Sequence, residues 1–443
     1  MSARSLRRTR TTAACALAVA AATGLTACSG LTPGGQTKAA SDVPVSTKIP
    51  TDKVTLTVVS SENAGTTKAL AKAFEAAHPQ VNIDFQYTAP EDYDKSLNLK
   101  LSSDSAPDLA LLNKLGTTVK AGLLRNLDPY VDAYDWKTTY PSTQLDQWRA
   151  RDNGQEIGVG HQWAAPAGFS VVGVYYDKPL AAKLGIKAPT DRLEFEAALA
   201  KAKAAGQLPI QLGNLQGHSS FIVQSVIDSS EGAGYTSAWV HGKPGSSVLS
   251  RGGWDGARTL ASWAKAGYLP PGANGNDLPA SVAEFTKGKG LFLFDGSWDA
   301  QVIEKAMPGK AGFFPFPGVG GRATGIGTSV AYAIPAKAEH PDVAAAFLDF
   351  MNTPEAAKIQ FATGFLPVAH ADKVKAPAGD VMNDVAKGWK AVNDDNGLVN
   401  FFANSTPTMN DTLTSTSQQL IAGKITPETY LKALQDDWAK GHK

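Results

Sequence analysis

The chain has 443 residues and is nearly neutral, with 42 Lys and Arg against 41 Asp and Glu. This balance gives no electrostatic reason to bind nucleic acid or an anionic membrane surface. The length exceeds one comfortable hydrophobic core and predicts two lobes. The only cysteines are Cys15 and Cys28, so no later thiol can form a disulfide, a metal site or a catalytic nucleophile.

The N-terminus has the pattern of a secretory signal. Arginines are concentrated over residues 4–10, an Ala-rich apolar run covers 13–22, and Leu-Thr-Ala-Cys occupies 25–28. This tetrapeptide resembles the lipobox of bacterial lipoproteins, which implies a signal peptide over 1–27 and lipidation of Cys28. Cleavage would leave 38 basic and 41 acidic residues, a formal charge of −3. The alternative is an ordinary signal peptide with an incidental cysteine.

The segment after Cys28 predicts a flexible tether. Residues 28–50 are rich in Gly, Pro, Ser, Thr and Ala and show no apolar period. With the lipid, this tether predicts an exported protein held at the outer face of the cell membrane.

Regular structure is predicted from residue 54 onward. Alternating apolar residues indicate strands and a spacing of three to four indicates helices. In chain order the pattern predicts a strand over 54–58, a helix over 70–77, a strand over 81–87, a helix over 93–101 and a strand over 108–112. Such alternation is typical of an α/β lobe with a largely parallel sheet, whose ligands gather at the carboxyl ends of strands. Glu62, Asn63 and Asn113 follow the first and third strands and are therefore candidate ligand contacts.

The second half repeats the pattern less cleanly. It predicts strands over 171–176, 209–212, 290–295 and 330–334, and helices over 191–205 and 341–351. A final helix begins at Thr426-Pro427, a plausible N-cap followed by an N1 proline.

Motifs for catalysis, metals and cofactors are not found. The seven histidines show no HExxH spacing. The Gly-rich letters at 318–323 follow Phe-Pro-Phe-Pro rather than a strand, and Ser329 lacks the second Gly of a nucleophile elbow. We therefore predict no cofactor, no metal and no enzymatic activity. A pair of carboxylates could still meet in space as in a glycosidase, and that alternative stays open.

Four segments in order resemble the extracellular solute-binding proteins of bacterial ABC importers, in the sugar-binding group that includes maltose-binding protein. They cover 56–84, 165–178, 285–298 and 331–367. The segment 157–163 departs from the group because its usual short entry is lengthened here.

The resemblance implies an α/β, two-lobed periplasmic-binding-protein-like fold of class II, with a cleft between the lobes and a multi-strand hinge. The first lobe would comprise 51–163 and 326–370, and the second 164–325 and 371–443. A monomer of this kind would close over a sugar and deliver it to the permease subunits.

Sugars present apolar C–H faces and hydroxyl edges, so their sites combine aromatic platforms with short polar side chains. Trp298 is the first choice because it follows an apolar strand and matches the group's frequent stacking tryptophan. A buried core position is the alternative for this and the other aromatic candidates. The complete candidate set is Glu62, Asn63, Asn113, Trp163, Phe169, Tyr175, His218, Trp298, Gly364, Phe365 and Asn410.

Two other functions remain open at this stage. The same fold could bind a polyol phosphate, an amino acid or a peptide. A phosphate would favour arginines, and Arg322 is the only obvious one. An exported glycosidase is the second alternative.

Overall fold

The computed structural model describes residues 44–62, 64–88, 90–140, 142–154, 157–318 and 322–442, so Cys28 and Asn63 lie outside the described residues. The strands are β1 (Val54–Ser60), β2 (Val81–Tyr87), β3 (Leu109–Leu111), β4 (Arg149–Ala150), β5 (His161–Gln162), β6 (Ala165–Asp177), β7 (Ile210–Gln211), β8 (Phe292–Gly296), β9 (Ala311–Phe314), β10 (Gly325–Ala333) and β11 (Leu398–Val399).

The helices are α1 (Ala64–Ala77), α2 (Pro90–Ser102), α3 (Leu115–Lys120), α4 (Asp128–Ala133), α5 (Trp136–Thr139), α6 (Ser142–Leu145), α7 (Lys178–Lys183), α8 (Arg192–Ala204), α9 (Ser220–Glu231), α10 (Ala233–Val240), α11 (Arg251–Lys265), α12 (Leu278–Phe285), α13 (Ala300–Ala306), α14 (Pro341–Phe350), α15 (Pro354–Ala362), α16 (Val381–Asp394), α17 (Met409–Ile421) and α18 (Pro427–Gly441). None of these helices has the length and apolar character that crossing a membrane requires.

The predicted strand–helix–strand opening is confirmed. In β1, Leu56 and Val58 are fully buried, whereas Thr55 is exposed and Thr57 is half-buried. β1 lies parallel to both β2 and β3. The late helix is confirmed as well: α18 begins after Thr426, whose Oγ1 accepts a hydrogen bond from the Thr429 amide at 3.2 Å.

The main sheet is mixed rather than largely parallel. Its order is β2-β1-β3-β10-β6-β8-β7, with β9 paired to β6 and β11 paired to β10. β10 is antiparallel to both β3 and β6, and β6 is antiparallel to β8 and β9. The prediction of a parallel sheet therefore holds for the β1–β3 part but not for the strands that run through the middle of the molecule.

The two long strands β6 and β10 cross from one hydrophobic core to another. The first core is formed by buried apolar residues between 54 and 167 and between 331 and 368. The second core uses residues between 174 and 316 and between 399 and 438. A third core, built from 169–313 and 361–392, packs around the crossing itself. This is the two-lobed, class II architecture with a multi-strand hinge.

The start of the domain lies earlier in the chain than the tether prediction places it. Val45 and Ile49 are partly buried against the first core. Gln80 Nε2 also donates to the carbonyl oxygen of Pro50, at 3.2 Å. The described end of the predicted tether is thus in contact with the folded domain.

One buried carboxyl group generates a stability prediction. Asp228 on α9 is almost completely buried, and this burial raises its pKa well above the ordinary value. The folded state therefore holds a proton that the unfolded chain releases above about pH 4, and stability falls as the pH rises through that window.

We expect Asp228→Asn to remove this pH-dependent cost. The melting temperature of the variant should rise relative to the unmodified protein as the pH is raised from 4 to 8. Each pKa unit of difference within this range corresponds to about 1.4 kcal/mol. The exposed Asp411→Asn is the control for loss of one charge. A difference in melting temperature that stays constant with pH would contradict the interpretation.

Candidate functional site

An aromatic cluster lies where β8 ends. Trp298 follows the strand by two residues, and its ring lies 6.5 Å from that of Phe221 and 6.3 Å from that of Phe401. Phe221 and Phe401 are 5.8 Å apart. All three side chains are half-buried, so part of each ring faces solvent. The cluster can therefore provide apolar faces to a ligand.

The Gly-Ser-Trp sequence explains the position of the indole. A Cβ atom on Gly296 would lie 2.2 Å from the Trp298 ring, so only glycine lets the ring fold back over the strand end. Ser297 is fully buried, and its Oγ accepts from the amide of Val171 at 3.2 Å. This bond attaches the residue just before Trp298 to the crossing strand β6.

A small cavity of about 190 Å³ adjoins the cluster. It brings together two predicted residues, His218 and Asn410, with Phe221 and Phe401. The His218 ring packs 5.2 Å from Phe221, and burial lowers the pKa of His218. The imidazole is therefore neutral at pH 7 and can both donate and accept hydrogen bonds.

Asn113 follows β3 as predicted and meets the loop after β1. Its Nδ2 donates to Asp94 Oδ1 at 2.7 Å and to Ser61 Oγ at 3.5 Å. The neighbouring Glu62 donates its backbone amide to Ser60 Oγ at 3.1 Å. The carboxyl ends of β1 and β3 thus carry adjacent polar side chains, which is the geometry that parallel pairing dictates.

Asn113 also lines a larger cavity of about 310 Å³. One wall comes from the first-core side, over 113–120 and 147–154 and at Ile157, and the other from the second-core side, over 240–241, 400–407 and 441–442. This cavity therefore lies in the cleft between the lobes. Its volume is at the lower end of the range of about 300–1,000 Å³ for ligand pockets.

Trp148 is a cleft residue that the sequence analysis missed. It lines the larger cavity, and its Nε1 donates to Ser329 Oγ on β10 at 2.5 Å. Phe221 and Phe401 were missed as well. The run Asn-Phe-Phe-Ala-Asn at 400–404 could have indicated Phe401, because it places adjacent aromatics between short amides.

Three predicted aromatic contacts lie in the protein interior instead. Phe169 has no exposed surface and stacks on Trp389 at 3.9 Å. Tyr175 is equally buried, and its hydroxyl donates to the carbonyl oxygen of Gly296 at 2.9 Å. Trp163 is buried and donates through Nε1 to the carbonyl oxygen of Ala150 at 2.9 Å. Their surfaces are used for packing, and we leave them out of the proposed contact set.

Gly364 and Phe365 lie at the crossing of the strands. Gly364 has a φ of +97°, a conformation that favours glycine, and Phe365 is buried beside Gly168. The next residue, Leu366, exchanges two backbone hydrogen bonds with Phe169, at 2.7 and 3.0 Å. These residues therefore support the hinge strands, and neither lines the two cavities described above.

A carboxyl pair lies beneath the aromatic cluster. Burial and the nearby charge of Asp299 raise the pKa of Asp295 well above its ordinary value, and burial also raises that of Asp299. Asp295 has no exposed surface. The pair therefore does not present two accessible carboxylates to a sugar, as glycoside hydrolysis requires.

No group of three or more His, Cys, Asp or Glu side chains is arranged to hold a metal ion within the described part of the chain.

The model for the bacterial extracellular solute-binding protein family matches residues 60–358, about two thirds of the chain. The chain belongs to this family.

Related proteins agree with that assignment. The solute-binding protein is 24% identical over 338 residues to the multiple sugar-binding protein of Streptococcus mutans, covering 72% of this chain and 76% of that protein. A putative binding protein of Brucella abortus is 26% identical over 329 residues, covering 71% of this chain and 75% of its own length.

Solved structures confirm the fold class. A chitin oligosaccharide binding protein superposes with a TM-score of 0.70 at 21% identity, covering 87% of this chain and 99% of that one. An ABC substrate-binding protein from Listeria monocytogenes in complex with cycloalternan gives 0.69 at 19% identity, covering 88% and 99%. The two-lobed architecture of this solute-binding protein is therefore that of solved binding proteins.

One buried side-chain amide binds the backbone of the segment 400–402 on both sides of Phe401. Gln224 on α9 donates through Nε2 to the Asn400 carbonyl oxygen at 2.8 Å and accepts from the Phe402 amide at 3.0 Å. Phe401 lies between these two bonds. Gln224 therefore fixes the position of Phe401 in the aromatic cluster.

We expect Gln224→Ala to lower the free energy of unfolding by about 1–3 kcal/mol, because it leaves buried backbone polar groups without partners. Urea denaturation measures this loss. Gln419→Ala is the control, since the bonds of that side chain to described residues go to Ser415 of its own helix, at 3.2 Å. Equal, small effects of the two substitutions would show that Gln224 does not hold the segment.

Proposed function

We propose that this protein captures a sugar or oligosaccharide in its cleft and delivers it to the permease of an ABC importer. The observation that carries the proposal is the half-buried cluster of Trp298, Phe221 and Phe401 beside polar side chains. Aromatic rings pack against the apolar faces of sugars, while amides and imidazoles bond to hydroxyl edges. The names of the multiple sugar-binding protein and of the chitin oligosaccharide binding protein support the same ligand class.

The proposed contacts divide into two groups. Trp298, Phe221 and Phe401 would stack on sugar rings. Glu62, Asn113, His218 and Asn410 would bond to hydroxyl groups, and Asn63 stays in this second group as a prediction.

Closure of the lobes would couple binding to delivery. In this proposal the lobes comprise 51–163 with 326–370, and 164–325 with 371–443, and they bend about β6 and β10. A ligand that contacts both lobes only when they are closed shifts the population toward the closed state. The permease could then distinguish loaded from empty protein by its shape.

The lipid would keep the binding protein near its permease. We propose that residues 1–27 are removed, that Cys28 carries acyl chains, and that a short spacer links the lipid to the domain. Each buried CH₂ of an acyl chain contributes about 0.8 kcal/mol to membrane attachment. A tethered monomer at the outer face of the cell membrane has a high effective concentration beside the permease.

A phosphate-binding site built on arginine is less well supported. Among the described residues that line the two cavities above there is no arginine, and Arg322 is exposed elsewhere. An amino acid or peptide ligand would also fit the fold, but it would not need three aromatic platforms.

A thermal-shift screen of residues 28–443 against mono- and oligosaccharides tests the proposal. A true ligand should raise the melting temperature in a concentration-dependent way and be recovered unhydrolysed. We expect Trp298→Ala to weaken binding of that ligand at least tenfold, measured by calorimetry, because it removes a stacking face. The control is Trp254→Ala, a half-buried tryptophan on α11 that lies next to Arg258.

Unchanged affinity in Trp298→Ala would remove this residue from the site. Stabilisation by amino acids or peptides alone would replace the sugar proposal. Release of cleaved sugar would favour a glycosidase instead.

The lipid prediction is tested by metabolic labelling with radioactive palmitate. The cell-associated protein should be labelled, and Cys28→Ala should abolish the label and release the protein into the medium. Cys15→Ala is the matched control because that cysteine lies within the predicted signal peptide. Persistent labelling of Cys28→Ala would refute lipidation at this residue.

A further inference from the structure

We propose that the larger cleft cavity binds an anionic group carried by a saccharide, so that the ligand is an acidic sugar rather than a neutral one. The proposal rests on the saccharide function above and specifies the chemical class of its ligand. The anionic group is a carboxylate or a phosphate, because both would satisfy the same cations.

The first argument is the charge of the cavity wall. Lys114 and Lys120 both line the cavity, and both are exposed. Among the described residues that line it there is no Asp or Glu. The described lining of the cavity therefore carries two formal positive charges and no formal negative charge, although the chain as a whole is nearly neutral.

The second argument is that neither lysine forms an ion pair with any described residue. Other lysines of this protein do so, such as Lys137 with Asp132 at 2.8 Å and Lys178 with Asp384 at 3.2 Å. The Asp94 carboxylate lies next to Asn113 and accepts a hydrogen bond from its side-chain amide. With respect to the described residues, both ammonium groups are therefore available to a ligand.

The third argument is the chemistry of the opposite wall. Asn400 Oδ1 accepts from the Phe401 amide at 2.7 Å and from Asn404 Nδ2 at 2.8 Å, so its own Nδ2 remains available to donate. His241 and His442 also belong to this wall, and burial lowers the pKa of both. They are neutral at pH 7, so the charge of the cavity comes from the lysines.

The fourth argument is that one short segment of the chain lines both cavities. Asn400 and Asn404 line the larger one, whereas Phe401 lines the small one beside the aromatic cluster. In this proposal the ligand stacks a sugar ring on the aromatic cluster and extends its charged group past this segment toward the lysines. Lysine acts as a point charge on a flexible chain and does not demand the bidentate geometry of arginine.

The test is calorimetry of the protein with matched sets of oligosaccharides. Three sets are used, based on glucuronate, galacturonate and mannuronate. Each set contains one uronic-acid oligosaccharide, its neutral methyl ester and the corresponding sugar 6-phosphate. We expect at least one acidic member to bind tenfold or more tightly than its neutral counterpart. This preference should shrink as salt is raised from 50 to about 500 mM, because salt screens exposed charges.

The double variant Lys114→Met/Lys120→Met should lose at least tenfold in affinity for the acidic ligand and keep its affinity for the neutral one. The control Lys183→Met/Lys265→Met removes the same charge from exposed positions outside the cavity and should have no effect. Circular dichroism and melting temperature would verify that both variants are folded. A preference for the uronate or for the phosphate identifies which anion is bound.

Two results would overturn the proposal in distinguishable ways. If neutral saccharides bind as tightly as acidic ones and the lysine variants bind like the unmodified protein, the acidic-ligand proposal fails and the sugar-binding function stands. If no saccharide of any set binds, the sugar-binding function fails, and the acidic-ligand proposal fails with it.

Discussion

The antiparallel pairing of β6 with β10 is the constraint on which the rest of the structure depends. It runs from Ile326 opposite Val172 to Tyr332 opposite Ala165, and it is the sheet segment that links the first core to the third. Both sides of the cleft are attached to it. Trp298 follows β8, which pairs with β6, whereas Trp148 donates directly to a serine of β10. A change in the bend of these strands would therefore move the two walls of the cleft relative to each other.

The crossing of β6 and β10 is reinforced by the segment that contains Gly364 and Phe365, which the sequence analysis predicts to contact the ligand. Leu366 forms an antiparallel β-bridge with Phe169 of β6. Gln360 Nε2 donates to the Ala167 carbonyl oxygen at 2.8 Å. The register of β6 and β10 also shifts between Val330 and Ala331. A bulge of this kind bends a strand locally while the pairing on both sides persists. Support of the hinge strands thus accounts for the position of the Gly-Phe-Leu-Pro motif.

The sequence predicted the fold well where a local pattern determines the structure. Strand β1 alternates in burial as its residues alternate in polarity, and Asn113 follows its strand at the ligand edge as parallel pairing requires. The pattern failed at β6, which begins at Ala165, because Ala, Pro and Gly at its start have no apolar alternation. It also could not separate exposed from buried aromatics. Phe169 and Phe401 look equivalent in sequence, but their environments are set by residues about 200 positions apart, such as Trp389 and Gln224.

The segment around 398–404 shows how the hinge and the ligand chemistry are connected. Its first residues form β11, where Leu398 pairs in parallel with Gly325 of β10. The following Asn400 and Phe401 lie between this pairing and the amide of Gln224 on α9. A single short stretch thereby supplies an aromatic face to one cavity and an amide donor to the other. β10 also carries Ser329, the partner of Trp148, so this one strand determines the position of groups on both walls of the cleft. A ligand that spans the two walls therefore contacts residues attached to β10 on each side.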